Sequence, residues 1–202
     1  KALGRLVAAD DKKALRQIGM VDAQGRAAAH TGERCIAWAG HHVGDGFSVQ
    51  ANIMRDETVV PAMVQRFELT GGSLAHRLIS TLEAAERAGG DLRGRQSAAV
   101  LVVRGEATGE PWRDVVLELR VEDHPTPVRE LRRLFDLQRA YEFMNAGDRA
   151  LEEDDGKAAV KAYDSAARLA GYNLEVRFWA GVTLATNGEL ERGGGMLKRV
   201  FA

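Results

Sequence analysis

Side chains able to do chemistry gather in three short stretches of the chain. In the run 47–53, Ser48, Gln50 and Asn52 recur at every second position. An extended strand would place that hydroxyl and those two amides on one face. Amides so arranged can polarise a carbonyl as an oxyanion site beside a nucleophile. They can equally tie down a neighbouring glycine-rich loop, because buried amides ordinarily serve local hydrogen bonding. The second stretch is Asp91-Leu92-Arg93-Gly94-Arg95-Gln96-Ser97. Arg93 and Arg95 can clamp a substrate carboxylate while Asp91 orients one of them. The competing reading is a tight loop closed by an internal Arg–Asp pair. Ser97 is a weaker nucleophile candidate, since no histidine stands beside it in the sequence. The third stretch holds Cys35, His41, His42 and Asp45, whose spacing fits no usual zinc pattern, so no metal is expected. Gly44-Asp45-Gly46 lacks the strand–turn–helix setting and the third glycine of a dinucleotide loop, and no cofactor is expected. His124, before Pro125, reads as a turn or packing residue rather than an acid–base group.

The elements that must position these residues are legible from periodicity. Residues 17–21 and 26–31 read as two strands joined by a tight turn at Asp22-Ala23-Gln24-Gly25. Residues 32–46 read as a glycine-rich irregular loop. The alternation of Phe47, Val49, Ala51 and Ile53 makes 47–53 a strand. Val60, Met63, Val64 and Phe67 form a helical stripe, with Pro61 tolerated in the first turn. Ser73 can cap a second helix carrying Leu74, Leu78 and Leu82 on one face and ending at Gly89-Gly90. The apolar run 97–103 reads as a strand buried on both faces, and 115–121 as a strand covered on one. Thr126-Pro127 begins a further helix.

Composition narrows the class of partner. Of 202 residues, 45% are hydrophobic and 28% charged, and the net charge is −1. Up to Gln138 there are 19 basic and 19 acidic residues, and beyond it 9 and 10, so neither part is a basic surface for nucleic acid. The single cysteine rules out an internal disulfide and suits a cytoplasmic protein, or a periplasmic one that uses none. No apolar run reaches the ~18 residues expected of a membrane span. Lys1–Val7 reads as the end of an amphipathic helix, and the chain opens on Lys rather than Met, so an upstream segment is expected.

The last part of the chain repeats. Gly147 and Gly181, Ala150 and Leu184, and Tyr163 and Leu197 each lie 34 residues apart, the period of a tetratricopeptide helix pair. Gly193-Gly194-Gly195 falls where the second unit's closing helix should begin, and each glycine costs about 1 kcal/mol relative to alanine. The organisation expected is an α/β domain over 1–135 followed by a helical domain over 136–202.

Several motifs resemble one bacterial family, domain of unknown function 1028. They are Gln17-Ile18-Gly19-Met20-Val21-Asp22-Ala23-Gln24-Gly25, Thr31-Gly32-Glu33-Arg34-Cys35, Trp38-Ala39-Gly40-His41, the segment 90–99, and Val121-Glu122-Asp123-His124-Pro125. The resemblance spans roughly residues 1–135. The tail, including Arg177-Phe178-Trp179-Ala180, resembles an extension that has been described as peptidoglycan-binding. The resemblance implies an N-terminal-nucleophile (Ntn) hydrolase fold, a four-layer α-β-β-α sandwich, here partial and lacking its first strands. Active members of that superfamily attack with a Thr, Ser or Cys at the mature N-terminus, so the nucleophile is expected upstream of Lys1. The sequence departs from the family at Ala51, where glycine is expected before the asparagine.

Two functions stay open. One is an amide-bond hydrolase acting on a small-molecule amide or peptide-like substrate, with Gln50, Asn52, Asp91, Arg93 and Arg95 as substrate-binding residues. The other is a non-catalytic scaffold whose helical tail engages a protein, peptidoglycan or a second copy of the chain in a homo-oligomer.

Overall fold

Asp22 closes the first hairpin. Its carboxylate accepts from the backbone N–H of Gln24 and of Arg26 at 3.0 and 2.9 Å. Strand β1 (Gln17–Val21) thereby pairs antiparallel with β2 (Ala27–Thr31), from Gln17 opposite Thr31 to Val21 opposite Ala27. These coordinates come from a computed structural model, which describes residues 1–202.

The glycine-rich stretch holds a strand that periodicity did not reveal. β3 (Gly40–Gly44) pairs antiparallel with β4 (Phe47–Ala51) across the turn at Asp45-Gly46. Gly-His-His-Val-Gly offers no apolar alternation, so only the pairing with β4 makes it a strand. Beyond the last pair of this ladder, Trp38 and Met54 exchange backbone hydrogen bonds, both at 3.1 Å. The two hairpins meet at Gly19, where a Cβ would lie 2.7 Å from the Gln50 side-chain carbon Cδ.

After the short α1 (Ala2–Ala8) at the start of the chain, the next α-helix is α2 (Val59–Leu69), with Pro61 in its first turn. It buries Val59 and Phe67. Ser73 caps α3 (Leu74–Arg87) by accepting from the His76 N–H at 3.3 Å. The face α3 buries is Ala75, Ile79, Ser80, Thr81 and Ala84, beside the leucine face seen in the sequence. Leu74 is exposed, and Leu78 and Leu82 are half-buried. Small residues on the buried face allow the close packing of α2 on α3. Thr81 satisfies its buried hydroxyl by donating to the Arg77 carbonyl at 2.9 Å.

The last sheet corrects another expectation. β5 (Ala98–Val103) pairs antiparallel with β6 (Val115–Val121), after a short helix α4 (Pro111–Asp114). Only Val100 of β5 is buried, while Leu101 and Val103 are 57% and 53% exposed, so β5 is covered on one face, not two. An unbroken apolar run marks a strand but carries no period to say how many faces are covered.

Helix α5 (Pro127–Glu152) starts just after β6. The chain divides into two units within it, Lys1–Leu131 and Arg132–Ala202. The first is mixed α/β with three two-stranded antiparallel sheets, and the second is helical.

The second unit also holds α6 (Gly156–Ala170), α7 (Leu174–Thr186) and α8 (Leu190–Lys198). Asp155 and Asn173 cap α6 and α7, accepting from Ala158 and Val176 N–H groups at 2.9 and 3.1 Å. Its core gathers Ala140, Met144, Tyr163, Ala166, Ala170 and Val176. Glycines carry the closest approaches. A Cβ on Gly147 would lie 2.5 Å from Tyr163 Cδ2, and one on Gly181 would lie 2.9 Å from Leu197 Cγ. Both members of that contact recur 34 residues later, so the repeat seen in the sequence is a repeat of packing.

Tyr163 is buried and donates its hydroxyl to Asp148. Burial first, then the bond to the Asp148 carboxylate, pushes the phenol well above its usual value of 10. The folded state therefore keeps the phenol proton more tightly than the unfolded chain. Its contribution is complete below pH 10 and is lost as pH rises from there toward the raised folded value. Tyr163→Phe should cost about 1–2 kcal/mol at pH 8. The gap between variant and wild type should narrow above pH 10 in circular-dichroism melts. A gap that stays constant to pH 12 would remove the phenol from the account.

Candidate functional site

The site is built from two segments about 40 residues apart in the chain, β4 with its exit and the loop that leaves α3. After Ala51 the chain cannot continue the strand. Ile53 adopts φ 60, a conformation costly for a β-branched residue, by about 1–3 kcal/mol. Surrounding bonds hold it there. Its N–H donates to the Ile36 carbonyl at 3.0 Å, and its carbonyl accepts from Leu92 N–H at 2.8 Å. Met54 forms an isolated antiparallel bridge to Asp91, and Arg55 N–H donates to the Gly90 carbonyl at 2.9 Å. The turn that starts the second segment requires Gly89, whose φ is 112. The stem of Arg55 lies over it, with Arg55 Cβ 3.1 Å from where a Gly89 Cβ would stand.

These segments line an open cleft of about 1340 Å³ within the first unit. Gln50, Asp91, Arg93 and Arg95 all line it. Asp91 is engaged by its own loop. Arg93 donates to both carboxylate oxygens, at 3.0 and 2.6 Å, and its backbone N–H donates at 2.8 Å. The Arg93 side chain holds the Asp91 carboxyl below the usual carboxylate range, and Asp91 in turn raises the guanidinium. Arg95 lies 3.0 Å from Glu86 at the end of α3. Gln50 accepts from the Ser48 hydroxyl at 3.2 Å and packs on Gly19.

Asn52 is placed elsewhere. It follows β4 and donates its amide to Gln17 Oε1 at 2.9 Å. Gln17 donates to Thr31 Oγ1, the Gly40 carbonyl and the Ala51 carbonyl at 3.1, 3.2 and 2.9 Å. Asn52 thus joins a network that ties the two hairpins together, and it does not line the cleft. Ala51 is buried, with its methyl accommodated where glycine was expected.

The remaining sequence candidates serve local structure. Cys35 Sγ donates to the Arg16 carbonyl at 3.4 Å, and His41 Nδ1 lies 2.8 Å from Thr31 Oγ1. His41 and His42 line a separate groove of about 550 Å³ against α2. No three His, Cys, Asp or Glu side chains gather as a metal site would require. His124 accepts the Thr126 N–H at 3.0 Å, and its own N–H donates to the Gln96 carbonyl at 2.9 Å, a turn arrangement. Sequence reading gave no site role to Gln17, Arg55 or Asp123, although Gln17 and Asp123 lie within the family motifs, and only the fold shows what each one faces. No helix is long and apolar enough to cross a membrane.

Comparison with known proteins bears on the unit that holds this cleft. The crystal structure of protein SPO2555 from Silicibacter pomeroyi, described by its family model as DUF1028, is similar over 66% of this chain, with 28% identity and a TM-score of 0.54. The match covers 57% of that protein's own chain, less than two thirds of its length. No curated protein matches. The model of the DUF1028 family, a family of unknown function, matches residues 1–131. The chain belongs to the DUF1028 family.

Proposed function

We propose that the first unit is the substrate-holding part of an amide-bond hydrolase of Ntn type. The cleft takes a small-molecule amide or peptide-like substrate. The carrying observation is that Gln50 and the loop Asp91–Ser97, distant in sequence, line one cleft. Gln50 and Gln96 supply amides there, and Arg93 and Arg95 keep guanidinium N–H groups beyond those directed at Asp91 and Glu86. The hydroxyl of Ser97 lines the same cleft, but no histidine does. A serine without a base is a weak nucleophile. The reading therefore assigns attack to a residue outside the described chain, as in the superfamily that the sequence resembles. The 34-residue recurrence of the glycine contacts supports a tetratricopeptide-like reading of the second unit.

Full-length protein incubated with a panel of amide and γ-glutamyl substrates should release amine or ammonia, detected by mass spectrometry. Gln50→Ala and Arg93→Ala should each lower kcat/KM by about tenfold or more, the scale of one lost hydrogen bond to a charged or reacting group. No turnover on any substrate, or full turnover in both variants, would overturn the assignment.

A further inference from the structure

Six charged residues line the cleft: Arg55, Glu86, Asp91, Arg93, Arg95 and Asp123. Four are neutralised among themselves, Asp91 with Arg93 at 2.6 Å and Glu86 with Arg95 at 3.0 Å. One residue of each sign is left without an ion pair, Arg55 and Asp123. These two are held against opposite ends of the same loop. Arg55 is fixed to its start by the bond to Gly90 and by its stem on Gly89. Asp123 precedes His124, whose N–H is fixed to the Gln96 carbonyl at the loop's end. Arg55 and Asp123 thus line one cleft from the two ends of this loop, and no ion pair joins them. A dianion or a phosphate ester would meet Asp123 unfavourably, and a polyamine would meet Arg55 unfavourably. A ligand with one carboxylate and one ammonium satisfies both.

We infer that the cleft recognises a zwitterionic ligand, a free amino acid or short peptide, with Arg55 binding its carboxylate and Asp123 its ammonium. This rests on the reading of the cleft as an amide-substrate site and names the substrate class. The apolar side chains of Met54, Met63 and Leu82 in the cleft wall suit the aliphatic part of such a ligand.

Calorimetric titration of the full-length protein with four charged probes and the uncharged N-acetyl-glutaminamide tests it. L-glutamine and alanyl-glutamine carry both charges, N-acetyl-glutamine only the carboxylate, and glutaminamide only the ammonium. Arg55→Ala should weaken L-glutamine or alanyl-glutamine about tenfold or more, and N-acetyl-glutamine likewise, and leave glutaminamide unchanged. Asp123→Asn should weaken the zwitterions and glutaminamide, and leave N-acetyl-glutamine unchanged. Both side chains are exposed, so melting curves should match wild type and exclude misfolding as the cause. Which zwitterion binds tells amino acid from peptide. Binding that ignores both substitutions overturns the inference while the amide-site reading stands, as does tighter binding of the doubly blocked N-acetyl-glutaminamide than of either zwitterion. Failure of every probe, blocked or not, overturns the amide-site reading and the inference with it.

Discussion

Gly193→Ala is expected to destabilise the helical unit by about 2 kcal/mol or more, while the same change at Gly194 or Gly195 stabilises it. The three glycines are consecutive in α8, so helix propensity alone predicts the same sign at each, a gain of about 1 kcal/mol over glycine. Their surroundings differ. A Cβ on Gly193 would meet the Gly181 carbonyl and stand 2.5 Å from the Ala185 backbone nitrogen and 2.9 Å from the Ala185 methyl, all on α7. Backbone on a packed helix cannot step aside as a flexible side chain can, so the two helices must separate. Nothing lies within 4 Å of a Cβ on Gly194 or Gly195. For a unit the size of Arg132–Ala202, each kcal/mol moves Tm by about 4–8 °C. Circular-dichroism melts of the three single variants should show one falling and two rising. A Gly193→Ala protein melting at or above wild type would mean that α7 and α8 are not packed at this distance.

Gln17→Leu should cost about 2–4 kcal/mol in the first unit. Leucine keeps an apolar side chain one heavy atom shorter than glutamine, so most of the loss is polar. Gln17 spends its amide group on three acceptors drawn from β2, β3 and β4, and its oxygen on the Asn52 amide. Without it, the Gly40 and Ala51 carbonyls lose this donor and Asn52 loses its acceptor, in a part-buried setting where each unsatisfied group costs about 1–3 kcal/mol. Asn52→Ala removes a single bond and should cost about 1 kcal/mol. Urea unfolding followed by tryptophan fluorescence reads the ordering. Equal midpoints for Gln17→Leu and wild type would show that the hairpins are held together by apolar packing alone.

Much of the first unit was readable from spacing. The Asp22–Gly25 turn, the alternation through Phe47 and the stripe ending at Phe67 each have a local physical cause, and each became the expected element. The strand at Gly40–Gly44 was not readable, because two histidines between glycines have no intrinsic extended preference and acquire one only from β4. The buried face of α3 was not readable for a related reason. Leucine spacing identifies a stripe, but which face turns inward depends on what packs against it, and Ala75 and Ala84 permit a closer approach than leucine would.

By itself the sequence determined most of the element types, the family and the 34-residue period, because these are written in local spacing and in ordered motifs. It also brought forward Gln50, Asp91, Arg93 and Arg95. Tertiary structure alone decided that these four share a cleft and that Asn52 does not. It alone decided which charges there are spent. The sequence offered an internal Arg–Asp pair without saying which arginine Asp91 takes; the fold gives it Arg93, sets Arg95 against Glu86, and leaves Arg55, which no motif marks. Pairing depends on distances between segments remote in the chain, which no local pattern encodes.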